Sequence, residues 1–185
     1  MITSRISLTP SQGQELLGIA RKALERLLSG SALDYVVTDP ELEKPGAAFV
    51  TLTYRGLLRG CVGYSDPLFP LHQTVFRCTQ SAAMDDYRFE PVSPHELPDL
   101  RISISVLSPL QRLEHPEDLH IGRHGLQIVG SGRRGLLLPQ VATEQGWDRE
   151  RFLAGVCRKA GLAAGAWRRG DVEVSTFEAE VFRED

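Results

Sequence analysis

Cysteine is scarce in this chain and never paired in sequence. There are three in 185 residues, Cys61, Cys78 and Cys157, an odd number at wide spacing. That pattern predicts free thiols in a reducing compartment rather than a disulfide framework. No C-x-x-C pair occurs, so a structural zinc site is not expected. Among the metal-ligand candidates His72, Asp85, Asp86 and His124 no two stand at ligand spacing such as H-x-x-x-H, and no metal is assigned from the sequence. G-x-G-x-x-G and the P-loop are missing as well, so no bound nucleotide is expected, and no cofactor is assigned from the sequence. The N-terminus lacks a long apolar run, which predicts neither a signal peptide nor a membrane span and makes the cytoplasm the expected location. There is no excess of positive charge. A net charge of −3 argues against a footprint on a phosphate backbone, so nucleic acid is not an expected partner. Internal repeats and low-complexity tracts are missing too.

What is present fits an ordinary soluble globule of one domain. Hydrophobic residues make up 42% and charged residues 24%, and a chain this long buries enough surface to need no staple. Thr9-Pro10-Ser11-Gln12 forms a capping box with Pro at N1, followed by apolar residues at helical spacing from Leu16 to Leu28 and a stop at Gly30. Residues 38–46 read as a loop. Ala47 to Tyr54 and Leu57 to Tyr64 read as a hairpin turned at Arg55-Gly56. A helix is predicted from Leu71 to Met84, and a strictly alternating strand from Arg101 to Leu107. A second hairpin is predicted around Gly130-Ser131-Gly132-Arg133. Short helices follow, from Pro139 and from the Asp148 cap, and then a final alternating strand from Glu173 to Phe182. Strands arriving as hairpins with helices between them give an α+β class: a mostly antiparallel β-sheet packed by helices.

The stretch Leu57-Leu58-Arg59-Gly60-Cys61-Val62-Gly63-Tyr64 is the centre of the functional reading. Gly60 and Gly63 flank a thiol and remove Cβ atoms that would block an approach to the backbone. In a regular strand, Arg59 and Cys61 share a face, and a cation beside a thiol favours the reactive thiolate. The competing reading is a small buried core cysteine. Register decides between them. A two-residue turn pairs Leu52 with Arg59 and Val50 with Cys61, which puts Cys61 on the core side. A bulge at Gly60 or a three-residue loop would reverse that.

A nucleophilic cysteine also needs a base. His72, at the start of the second predicted helix, and His124 are the candidates for moving protons. Cys78 and Cys157 fall on apolar helical stripes and read as core. The segment from Asp85 to Asp99 holds Pro91, Pro94 and Pro98. It reads either as a binding or lid segment or as a surface wrap with Phe89 plugging the core.

Leu58-Arg59-Gly60-Cys61-Val62-Gly63 resembles the L-R-G-C-I-G signature of the AMMECR-type domain family, the AmmeMemoRadiSam system protein A group. The likeness continues through Asp86-Tyr87-Arg88-Phe89-Glu90-Pro91, Glu96-Leu97, Ser105-Val106-Leu107-Ser108 and Gly122-Arg123-His124-Gly125-Leu126. It runs on through Leu137-Leu138-Pro139-Gln140-Val141-Ala142 to Cys157-Arg158-Lys159-Ala160-Gly161-Leu162, so that it spans nearly the whole chain. The resemblance implies a single AMMECR-type domain over 1–185, with an antiparallel sheet and a smaller second lobe. It raises Arg59, Cys61, Arg88, His124 and Lys159 as site candidates, and implies a pathway shared with Memo-type and radical-SAM proteins. Two functions follow from it. In the first, an enzyme or enzyme component uses Cys61 as nucleophile or ligand, with Arg59 and Arg88 holding an anionic substrate near Gly60, Gly63 and Lys159. In the second, a non-catalytic module docks on such partners, its glycines being packing devices and its Arg88 and Glu96 bracing the proline-rich loop. Oligomeric state has no signature in the sequence.

Overall fold

The hairpin turn sets the geometry of the first sheet. Arg55 and Gly56 both adopt positive φ, 51° and 81°, as a tight type I′ turn requires. The computed structural model describes residues 8–30 and 35–185. Strands β1 (Ala47–Tyr54) and β2 (Leu57–Tyr64) leave that turn antiparallel, and β3 (Leu100–Leu107) pairs with the other side of β1. Helix α1 (Pro10–Ser29) begins at the Thr9–Gln12 capping box and ends at Gly30 in the left-handed region. Helix α2 is Leu71–Met84. The inward side chains of the strands, among them Val50, Leu52, Ile102 and Ile104, join Leu16, Leu24 and Val75 of the helices in one core.

By contacts the chain divides into two compact units. Of the described residues, those before 108 and those from 180 onward form one, and 108–179 form the other. In the second unit, β5 (His124–Gly130) pairs with β6 (Arg133–Leu137) and with β7 (Glu173–Arg183), all antiparallel. The short strand β4 (Gln111–Arg112) also joins β7. Helices α3 (Pro139–Glu144) and α4 (Arg149–Lys159) complete it, with Leu126, Ile128, Phe152 and Val156 in its core. The α+β class and antiparallel pairing match the sequence reading.

Three local features differ from the sequence reading. The predicted loop at 38–46 contains a helical turn, Pro40–Glu43, whose Leu42 is buried. The strand β3 is not half-buried: Ser105 and Leu107 are covered as well as the alternate Leu100, Ile102 and Ile104. In the proline-rich segment it is Val92 that enters the core, its N–H donating to the Ala83 carbonyl at 2.8 Å, and Phe89 stays half-buried.

Candidate functional site

A β-bulge builds the site. Pairing runs Tyr54↔Leu57 and Thr53↔Leu58, then shifts to Leu52↔Gly60 and Thr51↔Cys61. Arg59 is the extra residue, and a bulge re-aims the side chain it displaces. The unbulged register is thereby overturned. Gly60 shares the core side with Leu52, while Cys61 lies on the opposite face with Thr51. Cys61 is half-buried, whereas Cys78 and Cys157 are fully buried. The Thr51 hydroxyl donates to the Cys61 sulfur at 3.3 Å. Burial pushes the Cys78 thiol up to about 12.

The two glycines are set by close approach. A Cβ on Gly60 would fall 2.0 Å from the Ala82 carbonyl oxygen of α2, and one on Gly63 would fall 2.3 Å from the Phe49 ring. Both Cβ positions are filled by neighbouring atoms, so close packing is what these two glycines allow.

Arg59 is wholly engaged. Its Nε donates to Glu96 Oε1 at 2.7 Å and its Nη2 to Glu96 Oε2 at 3.1 Å. Nη1 and Nη2 also donate to the Glu90 and Pro91 carbonyls, at 2.7 and 3.2 Å. This fork pins the proline-rich segment to the bulge. Arg59, with help from the Ser93 N–H and hydroxyl, holds the Glu96 carboxyl down at about 2 against the opposing effect of burial. The guanidinium is therefore matched to a carboxylate, not to the thiol.

Among the described strands β2 pairs with β1 alone, so its outer backbone needs other partners. Asp86, 5% exposed, accepts the Cys61 N–H at 2.8 Å. The same carboxylate accepts from Arg88 Nε at 2.9 Å and Nη2 at 2.7 Å. Arg88 Nη2 in turn lies 3.4 Å from the Cys61 carbonyl. Arg88 is the main cause that holds the Asp86 carboxyl far below the usual carboxylate range. Between these two anchors stands Tyr87, 95% exposed.

His72 is buried, with Nδ1 2.9 Å from the Tyr35 hydroxyl and Nε2 3.1 Å from a Glu43 oxygen, so both ring nitrogens have partners. His124 opens β5 in the 108–179 unit, where Nδ1 accepts the His120 N–H at 3.3 Å. Burial, then Arg123 and His120, pushes its pKa down. Lys159 ends α4, exposed, in that same unit. Among the described residues, no three His, Cys, Asp or Glu side chains converge as metal ligands. No helix of the described residues is long and apolar enough to cross a membrane. Sequence reasoning missed Asp86 and Thr51 as neighbours of Cys61. The i, i+2 spacing of Asp86 and Arg88 was the available signal for the first, and the second needed the bulge.

The AMMECR1 family profile matches residues 17–182. The chain belongs to the AMMECR1 family. A relative from Methanothermobacter thermautotrophicus is 42% identical over 96% of this chain and 97% of its own length. One from Aeropyrum pernix is 42% identical over 96% of this chain and 80% of its own. Among solved structures, an uncharacterised protein of Pyrococcus horikoshii superposes with a TM-score of 0.91 at 37% identity, covering 96% of this chain and 94% of that one. In this AMMECR1 chain the signature residues form a bulge, close glycine contacts and, with Glu96 and Asp86, two ion pairs at residues 86–96.

Proposed function

We propose that this AMMECR1 chain is a docking module, and that Tyr87 is the anchor it presents. The carrying observation is a fixed loop with an exposed ring. Asp86 and Arg88 grip the Cys61 backbone on either side of Tyr87, and Arg59 grips Glu90 and Pro91, yet no described residue covers the ring. An aromatic side chain held ready in this way loses little entropy on binding, which is what an interface anchor requires. Exposed Asp85 and Glu90 flank it, so the complementary partner surface is basic. Memo-type and radical-SAM proteins are the partner class we assign.

A second reading rests on a different observation: Cys61 alone among the three cysteines is not sealed, and a hydroxyl points at its sulfur. In that reading the thiol does chemistry on a bound substrate. Two experiments separate these readings. Purified chain is titrated by calorimetry into a purified Memo-type and a purified radical-SAM protein. The docking reading expects a complex with one of them that survives Cys61→Ser and weakens about tenfold or more with Tyr87→Ala. A complex indifferent to Tyr87→Ala, or none at high micromolar concentration, would refute it. The thiol reading instead requires iodoacetamide to alkylate Cys61 in the folded chain while Cys78 and Cys157 stay untouched, and it fails if Cys61 is equally inert.

A further inference from the structure

His72 is a buried imidazole wired to a hydroxyl on one side and a carboxylate on the other. It stands in the first turn of α2. Glu43, which ends the helical turn Pro40–Glu43, lies 3.1 Å from its Nε2. A carboxylate accepts and cannot donate, so Nε2 holds the ring proton and Nδ1 offers its lone pair. That lone pair faces the Tyr35 hydroxyl at 2.9 Å, and the hydroxyl donates to it. A hydroxyl, a base within hydrogen-bond reach and a third group that orients the base are the wiring of an activated nucleophile. All three residues belong to the same compact unit. Neither end of the wire is sealed: Tyr35 is half-buried and the Glu43 side chain is 57% exposed.

Two neighbours on α2 shape what the phenol meets. The Phe76 ring, with its centroid 5.2 Å from that of Tyr35, packs against it. Arg77 is exposed, stands 4.6 Å over the Phe69 ring and makes no ion pair among the described residues. Burial, then Glu43, pushes the Tyr35 pKa up, and the Arg77 charge opposes them. The phenol therefore stays protonated at rest and needs a base to take its proton as it attacks. An unpaired guanidinium beside a nucleophile selects an electrophile with anionic oxygens. We propose that Tyr35 is a nucleophile for phosphoryl transfer from a phosphate monoester, with His72 its general base, Glu43 positioning His72, and Arg77 holding the phosphoryl oxygens. The phenol oxygen bonds to phosphorus as the ester O–P bond breaks. The electron pair of that bond leaves on the departing oxygen. The phenol proton passes to His72 Nδ1 and from there to the departing oxygen, which leaves phosphotyrosine and an alcohol. The site involves neither Tyr87 nor Cys61.

Two probes test this on the full chain. Phenylmethanesulfonyl fluoride reads the activation of the phenol, and p-nitrophenyl phosphate reads the class of electrophile. Peptide mass spectrometry locates the modified tyrosines, with the exposed Tyr87 as the reference phenol. The sulfonyl fluoride is expected to label Tyr35 faster than Tyr87. His72→Gln and Glu43→Gln are each expected to slow labelling of Tyr35 by about tenfold or more and to leave Tyr87 unchanged. Glu43 is exposed, so its variant keeps the fold even where His72→Gln does not, and Glu43→Asp is expected to restore part of the rate. Nitrophenyl phosphate is expected to leave a phosphoryl group on Tyr35. Arg77→Ala is expected to cut that transfer by about tenfold while sparing the sulfonyl labelling. Labelling of Tyr35 no faster than that of Tyr87, or indifferent to Glu43→Gln, would overturn the site. Sulfonyl labelling as expected, with no phosphoryl group on Tyr35, would overturn the phosphoryl assignment.

Discussion

Glu96 carries an acid-sensitive part of the site. Its carboxyl falls from an ordinary 4.5 to about 2, chiefly because Arg59 binds it. A carboxyl whose pKa is depressed by folding stabilises the native state above its unfolded value, and that stability is lost as pH falls through the folded value. The contribution is therefore complete above about 4.5 and disappears between about 4.5 and about 2. With the Glu96 side chain 10% exposed, its size is on the order of 2 kcal/mol after partial screening. Asp86 is depressed in the same direction by Arg88 and adds to the decline below the carboxylate range. Urea unfolding measured from pH 7 to pH 2 is expected to show this loss. Glu96→Gln is expected to be less stable at neutral pH and to lose part of the slope. An unchanged slope would mean that the Arg59–Glu96 fork does not hold the loop in solution.

At the level of the strand, the bulge explains why the sequence could be read so far and no further. Apolar periodicity, caps and turn residues marked α1, β1, β2 and α2 closely, because each is written in local chemistry. The bulge at Arg59 is not, since the residues Leu58-Arg59-Gly60 suit a regular strand as well as a bulged one. Only contact with α2 decides it: Gly60 has to face Ala82, and that turns Cys61 to the other side. The fate of Arg59 was equally hidden, because Glu96 lies 37 residues away in the chain. Gly60→Ala tests this account. Its new methyl would meet backbone rather than a movable side chain, so a loss of about 3 kcal/mol is expected. Gly18 of α1 is the control, being exposed with nothing within 4 Å of its Cβ position. There Gly→Ala is expected to stabilise by about 0.5–1 kcal/mol through helix propensity. Denaturation midpoints of the two variants, read against wild type, should move in opposite directions. A Gly60→Ala variant as stable as wild type would show that the strand does not press on the helix.

For the molecule as a whole, the question is whether two compact units behave as one. The alternating pattern of Glu173 to Phe182 gave no hint of a boundary, and the structure shows why. The division at 179/180 falls inside β7, where the strand continues without a break. Its first part pairs with β5, as in Val174↔Ile128 and Phe177↔Gly125. Its last part belongs to the other unit, where Phe182 packs into the core and the Glu184 carboxylate accepts the Ile102 N–H at 2.9 Å. Neither core can release its share of this strand without fraying the same backbone. We propose on this ground that the chain unfolds as one domain over 1–185. Both tryptophans, Trp147 and Trp167, lie in the 108–179 unit, so their fluorescence follows that unit alone. Hydrogen exchange at the amides of α1 and β3 follows the other. Under increasing guanidinium the two signals are expected to change at the same concentration, as cooperative two-state unfolding demands. Phe182→Ala, which damages only the α1 side directly, should lower both midpoints together. Two separated midpoints, or a Phe182→Ala shift confined to α1 and β3, would mean that β7 joins the units covalently but not energetically.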